Sequence, residues 1–138
     1  MLSFQNNARV NIRYYHNDHL GTPQKLTDST GAVVWSADYK PFGEVNITTN
    51  TITNNLRFPG QYYDAETGNH YNRYRDYNPA LDRYIEWDPI GLKGNDLNLY
   101  AYVRNPLRFI DPWGLELQVT VQEGTGTGTY GATVTVVN

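Results

Sequence analysis

Apolar and aromatic residues along this chain come in short runs broken by Gly, Asn and Asp, and few stretches hold the i, i+3, i+4 spacing of an amphipathic helix. Gln24-Lys25-Leu26-Thr27 and Ala32-Val33-Val34-Trp35 flank Asp28-Ser29-Thr30-Gly31, whose glycine suits the left-handed position of a hairpin loop. Ala65-Glu66-Thr67-Gly68-Asn69 separates Gln61-Tyr62-Tyr63 from a strand His70-Tyr71-Asn72-Arg73-Tyr74 in the same way. Asn78-Pro79-Ala80-Leu81-Asp82 then separates that strand from Arg83-Tyr84-Ile85-Glu86-Trp87. The pattern predicts β-hairpins in series. Between Tyr71 and Tyr77 the aromatics fall on both faces, as in a strand that is twisted, bulged or covered on both sides.

A single short helix is predicted over Asp96 to Val103. Asn95 or Asp96 caps it, Leu97, Tyr100 and Ala101 share a face, and Asn105-Pro106 stops it. The Thr/Asn-rich stretch 47–55 reads as a polar linker, a loop or an irregular hairpin. Leu117-Gln118-Val119-Thr120-Val121 and Ala132-Thr133-Val134-Thr135-Val136-Val137 alternate Val and Thr around a Gly/Thr turn, which predicts a C-terminal β-hairpin.

Composition agrees with a mainly β chain. Twelve tyrosines and twelve glycines in 138 residues, with one methionine, suit short aromatic strands joined by tight turns rather than a helical bundle. Trp35, Trp87 and the aromatics of the Tyr-rich strands are expected to form the main buried layer. A net charge of −3 with no basic stripe makes nucleic acid a poor partner. The absence of cysteine excludes disulfides and thiolate metal sites. No apolar run reaches the ~18 residues of a membrane span, so membrane insertion is not expected. Met1 to His16 lacks the apolar centre of a signal peptide, so any export signal is expected outside this stretch.

Candidate chemistry concentrates in one repeated block, in which Asp88-Pro89-Ile90-Gly91-Leu92 returns as Asp111-Pro112-Trp113-Gly114-Leu115. Proline fixes φ and glycine admits positive φ, so each aspartate is expected on a sharply bent backbone. Two such carboxylates, brought together, can split the roles of peptide hydrolysis, one ionised to activate water and one protonated to donate to the carbonyl oxygen. The alternative is structural, since an aspartate before proline commonly caps its own turn. His16, Asp18 and His19 do not match a standard ligand spacing, so neither a metal nor another cofactor is expected. Arg73 and Arg75 among tyrosines read as strand-face pairing rather than as a nucleic-acid stacking surface.

These motifs resemble the Rhs/YD-repeat family. Tyr15-His16-Asn17-Asp18-His19-Leu20-Gly21-Thr22-Pro23 and Val34-Trp35-Ser36-Ala37-Asp38-Tyr39-Lys40-Pro41-Phe42-Gly43 look like an Rhs-type repeat. Arg57-Phe58-Pro59-Gly60-Gln61-Tyr62-Tyr63-Asp64, Tyr71-Asn72-Arg73-Tyr74-Arg75 and the two Asp-Pro blocks look like the C-terminal Rhs-associated core. The resemblance implies serial β-hairpins of a β-sheet shell fragment, divided into a repeat at 1–46, a linker or loop at 47–55, a core at 56–115 and a tail at 116–138.

The resemblance also implies aspartyl-protease-like self-cleavage, with Asp88 and Asp111 as acid and base, Arg83 as the family arginine, and the cut between Leu115 and Glu116. Three functions follow from it: a structural β-module that self-associates through sheet edges into a shell, homo-oligomer or fibre; a self-processing peptidase; and a vestigial carrier of a C-terminal toxin cargo. A secreted or cell-surface setting is implied by the same resemblance.

Overall fold

The computed structural model describes residues 11–94, 97–115 and 119–120. A first antiparallel sheet has the order β1 (Arg13–Asn17), β2 (Pro23–Asp28), β3 (Val33–Tyr39), β4 (Val45–Asn50). A second, also in chain order, comprises β5 (Tyr62–Tyr63), β6 (His70–Asn72), β7 (Arg75–Asn78) and β8 (Arg83–Tyr84). A two-stranded ribbon joins β9 (Phe109–Ile110) to β10 (Val119–Thr120). The predicted series of hairpins is the architecture found.

Local chemistry explains the turns. Asp28 Oδ1 accepts from the amides of Thr30 and Ala32 at 2.8 and 3.1 Å, while Gly31 takes φ 86° between β2 and β3. Asp64 caps the β5–β6 loop through the Glu66 amide, and Gly68 there has φ 75°. Asn78 Oδ1 accepts from the Ala80 and Leu81 amides before β8.

Two expectations of local structure need correction. The stretch expected to be one strand, His70 to Tyr74, is instead a hairpin. Asn72 pairs with Arg75 across a two-residue turn, and Arg73 occupies the left-handed region at φ 56°. Chain reversal, not twist, is why the aromatics fail to alternate. The predicted helix over 96–103 is absent from its described part, where Leu97 to Val103 form bends, turns and a bridge from Ala101 to Arg83. Helical geometry appears earlier, as a 3₁₀ turn over Gly91–Gly94. The segment is pulled out of a helix by the second sheet, because the Leu99 and Tyr100 carbonyls accept from the Asp88 and Tyr84 amides. The stretch 47–55, read as a linker, loop or irregular hairpin, begins in edge strand β4, whose Ile47, Thr49 and Asn50 pair with β3 in a hairpin with a register shift at Ser36–Ala37. Of the expected tail hairpin only Val119–Thr120 is described, paired with β9, and the rest lies outside the described residues.

Two buried clusters meet at Tyr39. Leu26, Val34, Trp35 and Ala37 fill the first sheet's inner face, and Phe58, Tyr77, Tyr84, Tyr102 and Val103 form the second cluster. Tyr39 packs on both, its ring 6.0 Å from that of Phe58. Tyr77 and Tyr102 rings lie 4.7 Å apart, and the Tyr77 hydroxyl donates to the Phe42 carbonyl across to the first sheet at 2.6 Å. Aromatics thus do form the buried layer, but not all of them. Trp87 is 68% exposed, contrary to expectation, whereas Trp35 is wholly buried.

Truncating Trp35 to alanine should cost about 3–5 kcal/mol of stability, whereas Trp87→Ala should stay within about 0.5 kcal/mol. Urea unfolding of the two variants beside the parent checks this, and equal losses would mean that the core is wrongly placed.

Candidate functional site

The two Asp-Pro turns converge on one arginine. Arg75 begins β7, and its side chain shares the inner face with Tyr77 two residues on. It is 3% exposed, and its Nη2 lies 3.3 Å from Asp88 Oδ2 and 3.4 Å from Asp111 Oδ2. Asp88 and Asp111 are themselves 7% and 1% exposed. The remaining guanidinium donors bind backbone, Nε to the Gly114 carbonyl and Nη1 to that of Leu99 at 3.3 Å. The Tyr84 ring lies under the guanidinium carbon, 3.7 Å from its centroid.

Each aspartate divides its two oxygens between tasks. Asp88 Oδ1 accepts from the Ile90 amide at 2.9 Å, and Asp111 Oδ1 accepts from the Trp113 and Leu115 amides at 3.3 and 3.1 Å. These are the turn-capping bonds that an Asp-Pro sequence offers anyway. Oδ2 of each is turned to Arg75. Asp111 Oδ2 also accepts from the Tyr84 hydroxyl at 2.8 Å, and Asn72 Nδ2 donates to that hydroxyl and to the Asp111 carbonyl at 2.7 and 2.8 Å. Turn capping and site building therefore coexist in the same side chains.

Burial pushes the Asp111 carboxyl up to about 6, and the Tyr84 hydroxyl, the Arg75 charge and the two amides pull it back only part of the way. Burial and the neighbouring Asp111 carboxylate raise the Tyr84 hydroxyl in turn, so it remains a proton donor. A cleft of about 570 Å³, lined by Tyr74, Glu86, Trp87, Pro89 and Leu92, has Asp88 as one of its walls.

The sequence-predicted residues separate into two groups. Asp88 and Asp111 are brought together. Arg83 is not placed with them: it is exposed on β8, where Tyr84 takes the inward position, and its guanidinium stacks 5.5 Å from the Tyr100 ring centroid. Arg75 stands where Arg83 was expected. The signal for it was the Arg75-x-Tyr77 spacing on an inward face, which becomes visible only once the hairpin at Arg73–Tyr74 sets the register. Leu115 is half-buried, with its amide on Asp111, and Glu116 lies outside the described residues. His16, Asp18 and His19 are engaged separately, with Thr27, the Leu20 and Thr22 amides, and the Leu107 carbonyl.

Comparison with known proteins points one way. The RHS protein family profile matches residues 12–47. Double-stranded DNA deaminase toxin A of Burkholderia cenocepacia is 45% identical over 109 residues, covering 75% of this chain and 8% of that protein. Toxin protein Tse5 of Pseudomonas aeruginosa is 41% identical over 115 residues, covering 83% of this chain and 9% of its own length. The crystal structure of TcdB2-TccC3 without its hypervariable C-terminal region superposes with a TM-score of 0.68 at 33% identity, covering 76% of this chain and 5% of that one. The chain thus spans less than a tenth of these proteins' lengths.

The raised Asp111 carboxyl gives a pH signature. A carboxyl lifted from 3.8 to about 6 on folding contributes stability that is fully present below pH 3.8 and is lost as pH rises through about 6. His70, pushed down to about 3 chiefly by burial, acts in the opposite sense, its contribution being lost as pH falls below about 6.5. The difference between parent and Asp111→Asn isolates the first effect. From pH 4 to pH 7 the parent should lose stability relative to Asp111→Asn by roughly 1–3 kcal/mol. Parallel stability curves from denaturant titrations across that range would contradict the assignment.

Proposed function

The chain belongs to the Rhs/YD-repeat family, and on that premise we propose that it is the closing β-module of a larger toxin-related scaffold and cuts its own backbone after Leu115. The scaffold role is supported by the two meander sheets, whose outer strands leave backbone groups and apolar side chains for neighbours to cover. Tyr14 and Tyr15 on β1 and Ile47 on β4 are each about half exposed. We read the repeat at 1–46, the core at 56–115 and the tail at 116–138 as parts of that scaffold. Neighbouring subunits or further repeats of a longer parent would pair with the free edges, and the setting we assign is extracellular or cell-surface.

Self-cleavage rests on one observation: two buried carboxylates meet on a single guanidinium, and the backbone leading to Leu115 is tied to the same groups. The Leu115 amide donates to Asp111 and the Gly114 carbonyl accepts from Arg75. A carboxylate pair used only to cap turns needs no shared cation. In the reaction we propose, the ionised member of the pair takes a proton from water as its oxygen attacks the Leu115 carbonyl carbon. The protonated member, for which burial favours Asp111, donates to the carbonyl oxygen. Collapse of the tetrahedral intermediate breaks the C–N bond: the leaving nitrogen of Glu116 takes the proton that the first carboxylate drew from water, the second carboxylate recovers its proton from a hydroxyl of the intermediate, and a Leu115 carboxyl group and a new amino terminus result. Arg75 holds the two carboxylates in position.

Intact-mass analysis of the purified chain over time tests this. The expected outcome is two fragments that sum across Leu115-Glu116, abolished in Asp88→Asn and Asp111→Asn and slowed by at least about 100-fold in Arg75→Gln, with Arg83→Ala close to the parent. A full-length mass that persists would leave the module as scaffold alone, and cleavage in both aspartate variants would rule out the carboxylate pair as its agent.

A further inference from the structure

A second buried arginine, far from the dyad in sequence, has no carboxylate partner among the described residues. Arg57 is 3% exposed, and among the described residues it forms no ion pair. Its Nη1 donates to the carbonyls of Asn54 and Leu56, each at 2.9 Å, and its guanidinium carbon lies 4.7 Å from the Tyr63 ring centroid. Nε is buried without a partner, and Nη2 makes no hydrogen bond among the described residues. The unused pair is therefore Nε and Nη2, the side of a guanidinium that grips both oxygens of a carboxylate.

The surroundings extend this donor set. Arg57 and Gln61 close a tight turn, with the Arg57 amide on the Gln61 carbonyl at 3.1 Å and Gly60 at φ 90°. Gln61 is 2% exposed, and its Oε1 is held by His70 Nδ1 at 2.9 Å, which leaves its Nε2 unpartnered. Both residues line a cleft of about 390 Å³ between that turn and the end of β1, with Tyr15, Asn17, Leu56 and Phe58 among its other walls. Arg57 is the sole charged residue among those walls. Burial and the nearby Arg57 charge push His70 down to about 3, so His70 adds no positive charge near neutral pH.

The Asn54 and Leu56 carbonyls and the Tyr63 ring leave the Nε–Nη2 edge of this buried cation unpaired among the described residues, an unfavourable state that an anion arriving there relieves, and the unpaired amide points to the same need. We propose that this cleft is a carboxylate-binding site, with Arg57 Nε and Nη2 gripping both oxygens and Gln61 Nε2 adding a third donor. A single positive charge with neutral donors suits a monoanionic carboxylate rather than a doubly charged phosphate. The carboxylate is either a free small acid or an Asp or Glu side chain of a polypeptide laid along the end of β1.

Nitrogen-15 NMR of the Arg57 Nε–Hε group, in the full chain at pH 7 and constant ionic strength, tests this with sodium acetate as probe and sodium chloride as control. A saturable shift with acetate and none with chloride is expected. N-acetyl-Gly-Glu-Gly-amide serves as the polypeptide probe: binding about tenfold or more tighter than acetate identifies a side chain as the occupant, and equal binding identifies a free acid. Gln61→Glu supplies a carboxylate from within, so it should abolish the acetate response and move the Arg57 signal toward its acetate-bound position. No saturable shift with either probe, or an equal shift with chloride, overturns the site; the parent titration decides this even if Gln61→Glu does not fold.

Discussion

The Arg75 guanidinium is buried where two bent Asp-Pro turns meet, and the C-terminal half of the molecule is arranged around satisfying it. Removing such a charge from water is costly, and the cost is offset only when every donor finds an acceptor. Here Asp88 and Asp111 supply charge, Leu99 and Gly114 supply carbonyls, and the Tyr84 ring supplies its face. The five partners come from three separate stretches of chain, around 84–88, 99 and 111–114. One side chain therefore fixes the relative positions of β7, β8 and both Asp-Pro turns.

The two turns look equivalent in sequence and are not equivalent in space. Gly91 and Gly114 both take positive φ, at 57° and 64°, but a Cβ on Gly91 would meet nothing within 4 Å. A Cβ on Gly114 would fall on the Asn72 carbonyl oxygen, against the hairpin that presents Arg75. The first glycine serves conformation alone, while the second also permits the turn to approach the sheet. Gly60 makes a similar approach to Pro112 from the other side. The Asp111 turn is thus clamped between two backbones, which explains its deeper burial.

Much of this was legible in the sequence for identifiable reasons. The Asp28–Gly31, Ala65–Asn69 and Asn78–Asp82 turns carry their own caps, so composition revealed them. The paired carboxylates were legible because the repeat that bends the chain is local. What local patterning missed was set by long-range contacts. Arg73 at positive φ, with its guanidinium 4.0 Å from the Trp113 ring centroid, splits an expected strand into two. That reversal moves Arg75 inward and, through the pairing of β7 with β8, leaves Arg83 outside. The expected helix after Asp96 gave way because carbonyls of Leu99 and Tyr100 were claimed by the second sheet. Trp87 follows the same logic, lying beyond the short β8 on the rim of the cleft beside Asp88.

If Arg75 joins the two turns into one unit, its energetic coupling to each aspartate must be measurable. A double-mutant cycle of Arg75→Gln with Asp88→Asn and with Asp111→Asn, read by urea unfolding at pH 7, is the most direct measurement. Coupling of at least about 1 kcal/mol in both cycles is predicted, because Arg75→Gln strands both buried carboxylates and each Asp→Asn substitution relieves one of them. Additive losses in either cycle, within about 0.3–0.5 kcal/mol, would contradict the account and leave Arg75 bound to one turn alone or to neither.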